Sequence, residues 1–221
     1  MNWKEHCIFG FLLYLPFFSS PEDIFLLLSG ILFPDLDHEV KEEITRRGIY
    51  ISLGILILAL ILYFSKSPLF NLDLLVIGVL SLLIYIVPYF SEHRGLTHTV
   101  WSLIIISLIF SYIIFRISSI SPLAPILGLA MVSSEKIFSK LIIPSIFLSI
   151  ILSLFLPHKA NFISYVIPFF FGYLSHLIGD SLTPAGVKAF YPLRYKLKKT
   201  EGYILIVVII ILAVIKWMRM I

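Results

Sequence analysis

The sequence predicts an all-α polytopic membrane protein: a bundle of about eight or nine hydrophobic helices, some short or re-entrant, with a metal site at one membrane face. Three observations lead there. Hydrophobic residues make up 59% of the 221 residues and charged residues only 14%, and the mean hydropathy is +1.02. Soluble domains average about 45–50% apolar and about 25% charged residues, so this chain lacks the charge to build a water-facing surface. The charges also cluster between long uncharged windows, and those windows are too long and too weakly alternating to be strands.

The windows run 6–21, 24–34, 48–65, 74–91, 95–115, 117–134, 141–158, 160–179 and 202–215. A bilayer crossing takes roughly 20 apolar residues, within about 17–25. Windows 48–65, 74–91, 95–115, 141–158 and 160–179 qualify, and 202–215 joins them if Tyr203 and Trp217 act as interfacial ends. The first two are short. They read as a helical hairpin turning at Ser19-Ser20-Pro21-Glu22, with Ser20 as the cap of the second helix and Pro21 in its first turn. Window 117–134 carries Pro122 and Pro125, which shorten its helix or make it re-entrant. Whether 7–18, 23–33 and 122–133 cross fully is left open by the sequence. The expectation is one integral membrane domain over 1–221, with a motif-bearing region 1–193, a basic loop 188–202 and a terminal helix 203–217. No internal repeat, linker or cleavable signal peptide is expected. The single cysteine, Cys7, rules out an intrachain disulfide.

Counting crossings assigns the loops to two sides. The side of the N-terminus holds 1–6, 34–48, 91–98, 133–140 and 176–202; the other holds the turns near 19–23, 65–73, 116–121 and 157–161, and the C-terminus. Lys and Arg divide 12 to 5 in favour of the first side, so the positive-inside rule makes that side cytoplasmic. Lys216 and Arg219 run mildly against this. The expected location is the cell (cytoplasmic) membrane, as a multi-pass protein. A net charge of +4 then reports cytoplasmic loops meeting anionic headgroups, and no nucleic-acid partner is expected.

Five of the six histidines and ten of the thirteen acids fall on that same side. They concentrate in four stretches: His6 opening the first window, Pro34-Asp35-Leu36-Asp37-His38 ending the second, His93-Arg94-Gly95-Leu96-Thr97-His98 before a long helix, and His176-Leu177-Ile178-Gly179-Asp180 ending the eighth. His176 and Asp180, four residues apart, project from one helix face and reach a common ion. An imidazole nitrogen and a carboxylate oxygen suit zinc or a similar divalent metal. Taken alone, the pair fits equally well a helix-end Asp in water with a His bonded to a carbonyl. Asp35 and Asp37 follow a helix-breaking Pro; they either bridge two metals, or one ligates while the other orients a histidine. Gly95 permits a turn that aims His93 and His98 inward, and Thr97 suits the cap of the following helix. Arg94 is a planar cation suited to phosphate, or else a juxtamembrane topology signal. His38 is expected in solvent, and His158 on the wrong side. The convergence of His6, Asp35, Asp37, His93, His98, His176 and Asp180 at one membrane level favours a metal site over solvated loops.

Together these stretches resemble the YdjM-type family of membrane-bound, predicted metal-dependent hydrolases. That pattern is a His near the N-terminus, P-D-x-D, H-R-G-x-T-H, and H-x-x-x-D-x-x-T-P-x-G followed by Y-P. Here it is met by His6, Pro34 to Asp37, His93 to His98, His176 to Gly186, and Tyr191-Pro192. The resemblance covers residues 1 to about 193. A more distant likeness is to zinc-dependent phospholipases C and zinc nucleases, whose L-x-H-x-x-G-D-x-x-x-P segment is similar to Leu174 through Pro184. That likeness implies one zinc on Asp35, His93 or His98, His176 and Asp180, with His6 sharing Asp180 with a second. The histidines that complete a three-zinc cluster there have no counterpart after Pro184, so one or two ions are expected, zinc first and manganese as the alternative.

The function expected is hydrolysis of a phosphoester or phosphodiester in a lipid or lipid-linked substrate at the cytoplasmic face. A metal ligated by His6, Asp35, His93, His98, His176 and Asp180 would activate water and polarise the phosphoryl oxygen. Asp37 would orient a ligand or act as general base, and Arg94, helped by Lys188 or Arg194, would hold phosphate oxygens. A divalent-metal transporter is the first alternative, but it needs His or acidic residues near mid-span, and 50–64 and 74–88 contain neither. A non-catalytic scaffold is the second, and it makes the His/Asp set accidental. The topology is directly testable. Loop 188–202 carries five of the twelve cations on its side, so a reporter fused after Lys198 reads cytoplasmic; an external signal there overturns the assignment.

Overall fold

The computed structural model describes residues 2–37, 42–92, 94–159, 161–193 and 195–218. Nine α-helices form among them: α1 (Trp3–Tyr14), α2 (Asp23–Leu32), α3 (Glu42–Phe64), α4 (Leu72–Phe90), α5 (Val100–Ser118), α6 (Ala124–Val132), α7 (Glu135–Ser153), α8 (Phe162–Ser181) and α9 (Lys199–Met218). The described residues contain no strand beyond a single antiparallel bridge between Val187 and Leu197. Polar residues at the window edges set the starts. Asn2 accepts from the backbone of Lys4 and Glu5 while Glu5 returns a bond to the Asn2 backbone, a reciprocal cap on α1. Asn71, Thr99, Ser134 and Asn161 cap α4, α5, α7 and α8 in the simpler one-way form.

Six helices, α3, α4, α5, α7, α8 and α9, are long and apolar enough to cross a membrane. The other three have 12, 10 and 9 residues. At 1.5 Å per residue these reach only about 14–18 Å, against a hydrocarbon core of about 30 Å. As single helices α1, α2 and α6 are therefore too short to cross. α1 and α2 instead make a hairpin inserted into the bundle. The apolar faces of the long helices, including Ile57 and Ile61 of α3, Phe147 and Ile150 of α7, and Val207 and Ile211 of α9, are exposed, as lipid-facing surfaces must be.

α2 is the centre. Every residue from Asp23 to Leu32 is buried, and α2 packs on α8 most extensively, then on α6, α1 and α7. Two glycines make the α2–α8 contact possible. A Cβ on Gly30 would lie 2.1 Å from the Phe169 carbonyl oxygen, and one on Gly172 would lie 2.1 Å from that of Leu27. The two backbones touch, the small-residue packing that membrane helices use in place of a hydrophobic drive.

The hairpin turn departs from the sequence expectation. Ser20 does not cap α2; the residue before the helix is Glu22, with no side-chain cap. The Asp23 carboxylate turns back instead. It accepts from Ser19 N at 2.7 Å, Ser20 N at 3.2 Å, both serine hydroxyls, and Tyr14 Oη at 3.4 Å. It also pairs with Lys159, both side chains being fully buried. Near this end lie Lys216, donating to the Pro16 carbonyl, and the Arg116–Asp73 pair. At the other end of α1, α2 and α8 lie His6, Asp35 and Asp180. These are the two groups that counting crossings separates.

The backbone contact predicts a sharp contrast between glycines. Gly172→Leu lowers the stability of the detergent-solubilised protein by about 3 kcal/mol or more, since backbone cannot yield to the inserted atoms. Among the described residues, nothing lies within 4 Å of a Cβ added to Gly54. Gly54→Ala therefore gains up to about 1 kcal/mol from helix propensity. Thermal unfolding of both variants checks this; equal midpoints contradict the contact.

Candidate metal centre

Four chain segments build the site, and each is aimed by its local structure. α1 presents His6 one turn in from its cap. α2 stops at Leu32 because Pro34 has no N–H and cannot continue the helix, and residues Pro34–Asp37 tighten into a 3-10 turn that carries Asp35 and Asp37. After α4 the chain turns through Arg94, at φ 59°, and Gly95, whose N–H reaches the Glu92 carbonyl at 2.7 Å. A 3-10 turn over Leu96–His98 follows. α8 delivers His176 and Asp180 from one face of its last turns.

The four sets converge. His6, Asp37, His98, His176 and Asp180 are buried, while Asp35 and Arg94 are partly exposed at the mouth. His98 Nδ1 lies 3.2 Å from Asp37 Oδ2. A carboxylate accepts there, so Nδ1 carries the proton and the Nε2 lone pair points at Asp180 Oδ2, 3.5 Å away. His176 Nδ1 lies 2.8 Å from the Ile31 carbonyl oxygen, which again places the proton on Nδ1. Its buried Nε2 meets no acceptor or donor at hydrogen-bond geometry among the described residues and faces Asp35 Oδ1 at 3.4 Å and Asp180 Oδ2 at 3.8 Å. His6 Nε2 is 3.4 Å from Asp180 Oδ1, and Arg94 Nη2 is 3.1 Å from the same oxygen.

The Nε2-to-carboxylate separations, 3.4 to 3.8 Å, are long for N–H···O bonds, which centre near about 2.9–3.0 Å. The shorter of them match another length. Two donors each about 2.0–2.1 Å from a tetrahedral zinc lie about 3.3 Å from one another. Two sets of ligand atoms, His6 with His176 and Asp180, and Asp35 with His98 and His176, lie within 4.8 Å of one another. The donor set of imidazole nitrogens and carboxylate oxygens fits a divalent transition metal.

Seven of the residues read from the sequence are thus brought together: His6, Asp35, Asp37, Arg94, His98, His176 and Asp180. His93, His38 and Arg194 lie outside the described residues. Lys188 is exposed on the loop after α8, whose Ala189 carbonyl accepts from Val100 N at 2.8 Å. His158 is at the opposite end of the bundle, 2.5 Å from Glu22. Thr97 is not the cap; Thr99 takes that role, and Thr97 turns inward to donate to Asp37. Sequence reasoning missed Tyr173, whose buried hydroxyl donates to the Thr97 carbonyl, and the Ile31 carbonyl that holds His176. Tyr173 carried a usable signal: it stands one turn before His176, and a buried Tyr needs a partner for its hydroxyl.

Fold and site together define a polytopic helical membrane protein with a His/Asp cluster buried at one end of its bundle. The chain belongs to the YdjM inner membrane protein family, whose model matches residues 1–220. No curated protein and no solved structure matches it.

Proposed function

We propose that this protein is a membrane-embedded metal-dependent hydrolase that cleaves a phosphoester or phosphodiester of a lipid or lipid-linked substrate at the cytoplasmic face. The observation that carries the reading is the placement of the ring nitrogens. Nδ1 of His98 and of His176 each faces a fixed acceptor, which assigns the proton to Nδ1 and leaves each Nε2 lone pair toward carboxylate oxygens. Lone pair facing lone pair is repulsive unless a cation lies between. Protonating both rings is a poor substitute. Charge-assisted N–H···O bonds draw in to about 2.7–2.9 Å, well short of the separations present, and the His98 and His176 ring centroids are 5.4 Å apart, where two imidazolium rings would repel.

On this reading His98, His176, Asp35 and Asp180 hold a zinc or manganese ion. The bound ion supplies Lewis acidity to a phosphoryl oxygen and to water. Asp37 orients rather than abstracts protons, because its Oδ2 already takes Thr97 and His98; a carboxylate behind an imidazole fixes the ring and raises its basicity. Arg94 uses one of its five N–H groups on Asp180 and stands at the mouth with others to offer phosphate. A lipid substrate is favoured by location: the cluster sits at one end of a bundle whose flanks face acyl chains.

Incubating the purified protein with a panel of lipid phosphates, with and without chelator, tests the activity; cleavage that survives complete metal removal overturns it. His176→Ala and Asp180→Ala each lose the bound ion, because one of three or four ligands is gone, and His158→Ala keeps it. Equal metal content in all three removes the site. Arg94→Lys retains the ion but drops turnover on the order of a hundredfold, since a compact ammonium does not reproduce two parallel hydrogen bonds to phosphate. Turnover near that of the parent protein contradicts the clamp.

A further inference from the structure

His6 and His176 stack with ring centroids 3.9 Å apart and planes 8° from parallel. An imidazole lone pair lies in its ring plane, so no point is in line with both Nε2 atoms. One ion cannot be well ligated by both rings as they stand, even though their ligand atoms cluster with Asp180. Asp180 meets the two rings with different oxygens: Oδ1 faces His6, and Oδ2 faces His98 and His176. The cluster therefore offers two cation positions, one on each oxygen.

The two positions are built differently. At the Oδ2 position the Nδ1 atoms of His98 and His176 are pinned, so their Nε2 atoms are committed as ligands. At the Oδ1 position His6 Nδ1 is buried without a hydrogen-bond partner among the described residues, so no fixed acceptor there ties the proton to one nitrogen. With the proton on Nε2 the ring donates to Asp180; with it on Nδ1 the ring ligates. A cation already stands at this oxygen, the Arg94 guanidinium at 3.1 Å. Arg94 is partly exposed and comes from a turn rather than a helix.

We propose that Arg94 occupies the place of a second divalent cation on Asp180 Oδ1, so that the protein carries one ion beside one guanidinium, and that His6 and Asp180 Oδ1 become a second divalent-cation site only when the guanidinium is withdrawn. This rests on the metal reading above and adds its stoichiometry. Like charges at one carboxylate oxygen exclude one another, and the His6 proton relocates to suit whichever cation is present.

The test is manganese bound per chain by full-length protein in detergent, loaded with excess Mn²⁺ and dialysed, together with its electron paramagnetic resonance spectrum. The parent protein holds one Mn²⁺ with the spectrum of an isolated ion. Arg94→Ala holds two, with the broadened spectrum of a coupled pair. The double variant His6→Ala with Arg94→Ala returns to one. A second ion in the parent protein, or only one in Arg94→Ala, overturns the exclusion while leaving the metal site intact. No bound ion in any of the three overturns the metal reading itself, and this inference with it.

Discussion

The backbone contact between α2 and α8 is the constraint on which the rest depends. With glycine at 30 and 172 the helices approach until a carbonyl on each stands where a side chain would be. That approach brings the end of α2 against His176. Ile31 is one of the last residues of α2, and its carbonyl would ordinarily bond to the N–H four residues on. Pro34 has ended the helix by then, so the carbonyl is left over. An unmet carbonyl in a low-dielectric interior is costly, and His176 Nδ1 meets it at 2.8 Å. One glycine pair and one proline thus settle both the helix end and the side of the imidazole that looks into the cluster.

The opposite end of α2 is fixed by charge. Asp23 is wholly buried, holds the hairpin turn through its serines and Tyr14, and pairs with Lys159. Desolvating such a pair can cost as much as its attraction returns, but removing either partner strands a charge in an apolar interior. The value of the pair here lies in register. α2 is ten residues of nearly unbroken apolar chain, with little in its own sequence to stop it sliding along α8. A carboxylate anchored at its start and a carbonyl anchored at its end leave one depth, and Asp35, three residues past α2, inherits that depth.

Much of this was legible in the sequence, and the limits have physical causes. The six long helices announce themselves by length and hydropathy. The grouping of His6, Asp35, Asp37, Arg94, His98, His176 and Asp180 agrees with counting every apolar window, the short ones included, as one pass from one end of the bundle to the other. What composition could not supply was depth and direction. The windows at 6–21 and 24–34 look alike whether their helices cross or only insert. Thr97 and Thr99 are equally good caps as residue types, and only Asp37 behind the turn decides that Thr97 faces inward. Asp23 and Lys159 stood in turns on the same side, where charged residues are ordinarily solvated, so their burial had no local signal. Gly30 and Gly172 mark nothing in one dimension; each acquires meaning only from the backbone opposite.

The same packing weighs on the rival readings. A transporter must expose its site to both sides in turn, and the chemistry-bearing groups gather at the two ends of α2 and α8 with a dense apolar layer between. Leu26, Leu27, Ile31, Phe169 and Tyr173 are within 1% of full burial, and Phe110 stacks on Phe169 at 4.4 Å. An ion travelling through would have to part the glycine contact that holds the cluster together, so opening the path would pull apart the residues it serves. A scaffold faces a different difficulty. Burying three imidazoles around one carboxylate brings no packing advantage over apolar side chains of similar volume, and polar groups inside a membrane bundle are costly to keep. The cluster instead spends buried acceptors, Asp37 and the Ile31 carbonyl, on aiming two imidazoles at carboxylate oxygens, the orientation on which the proposed metal site rests.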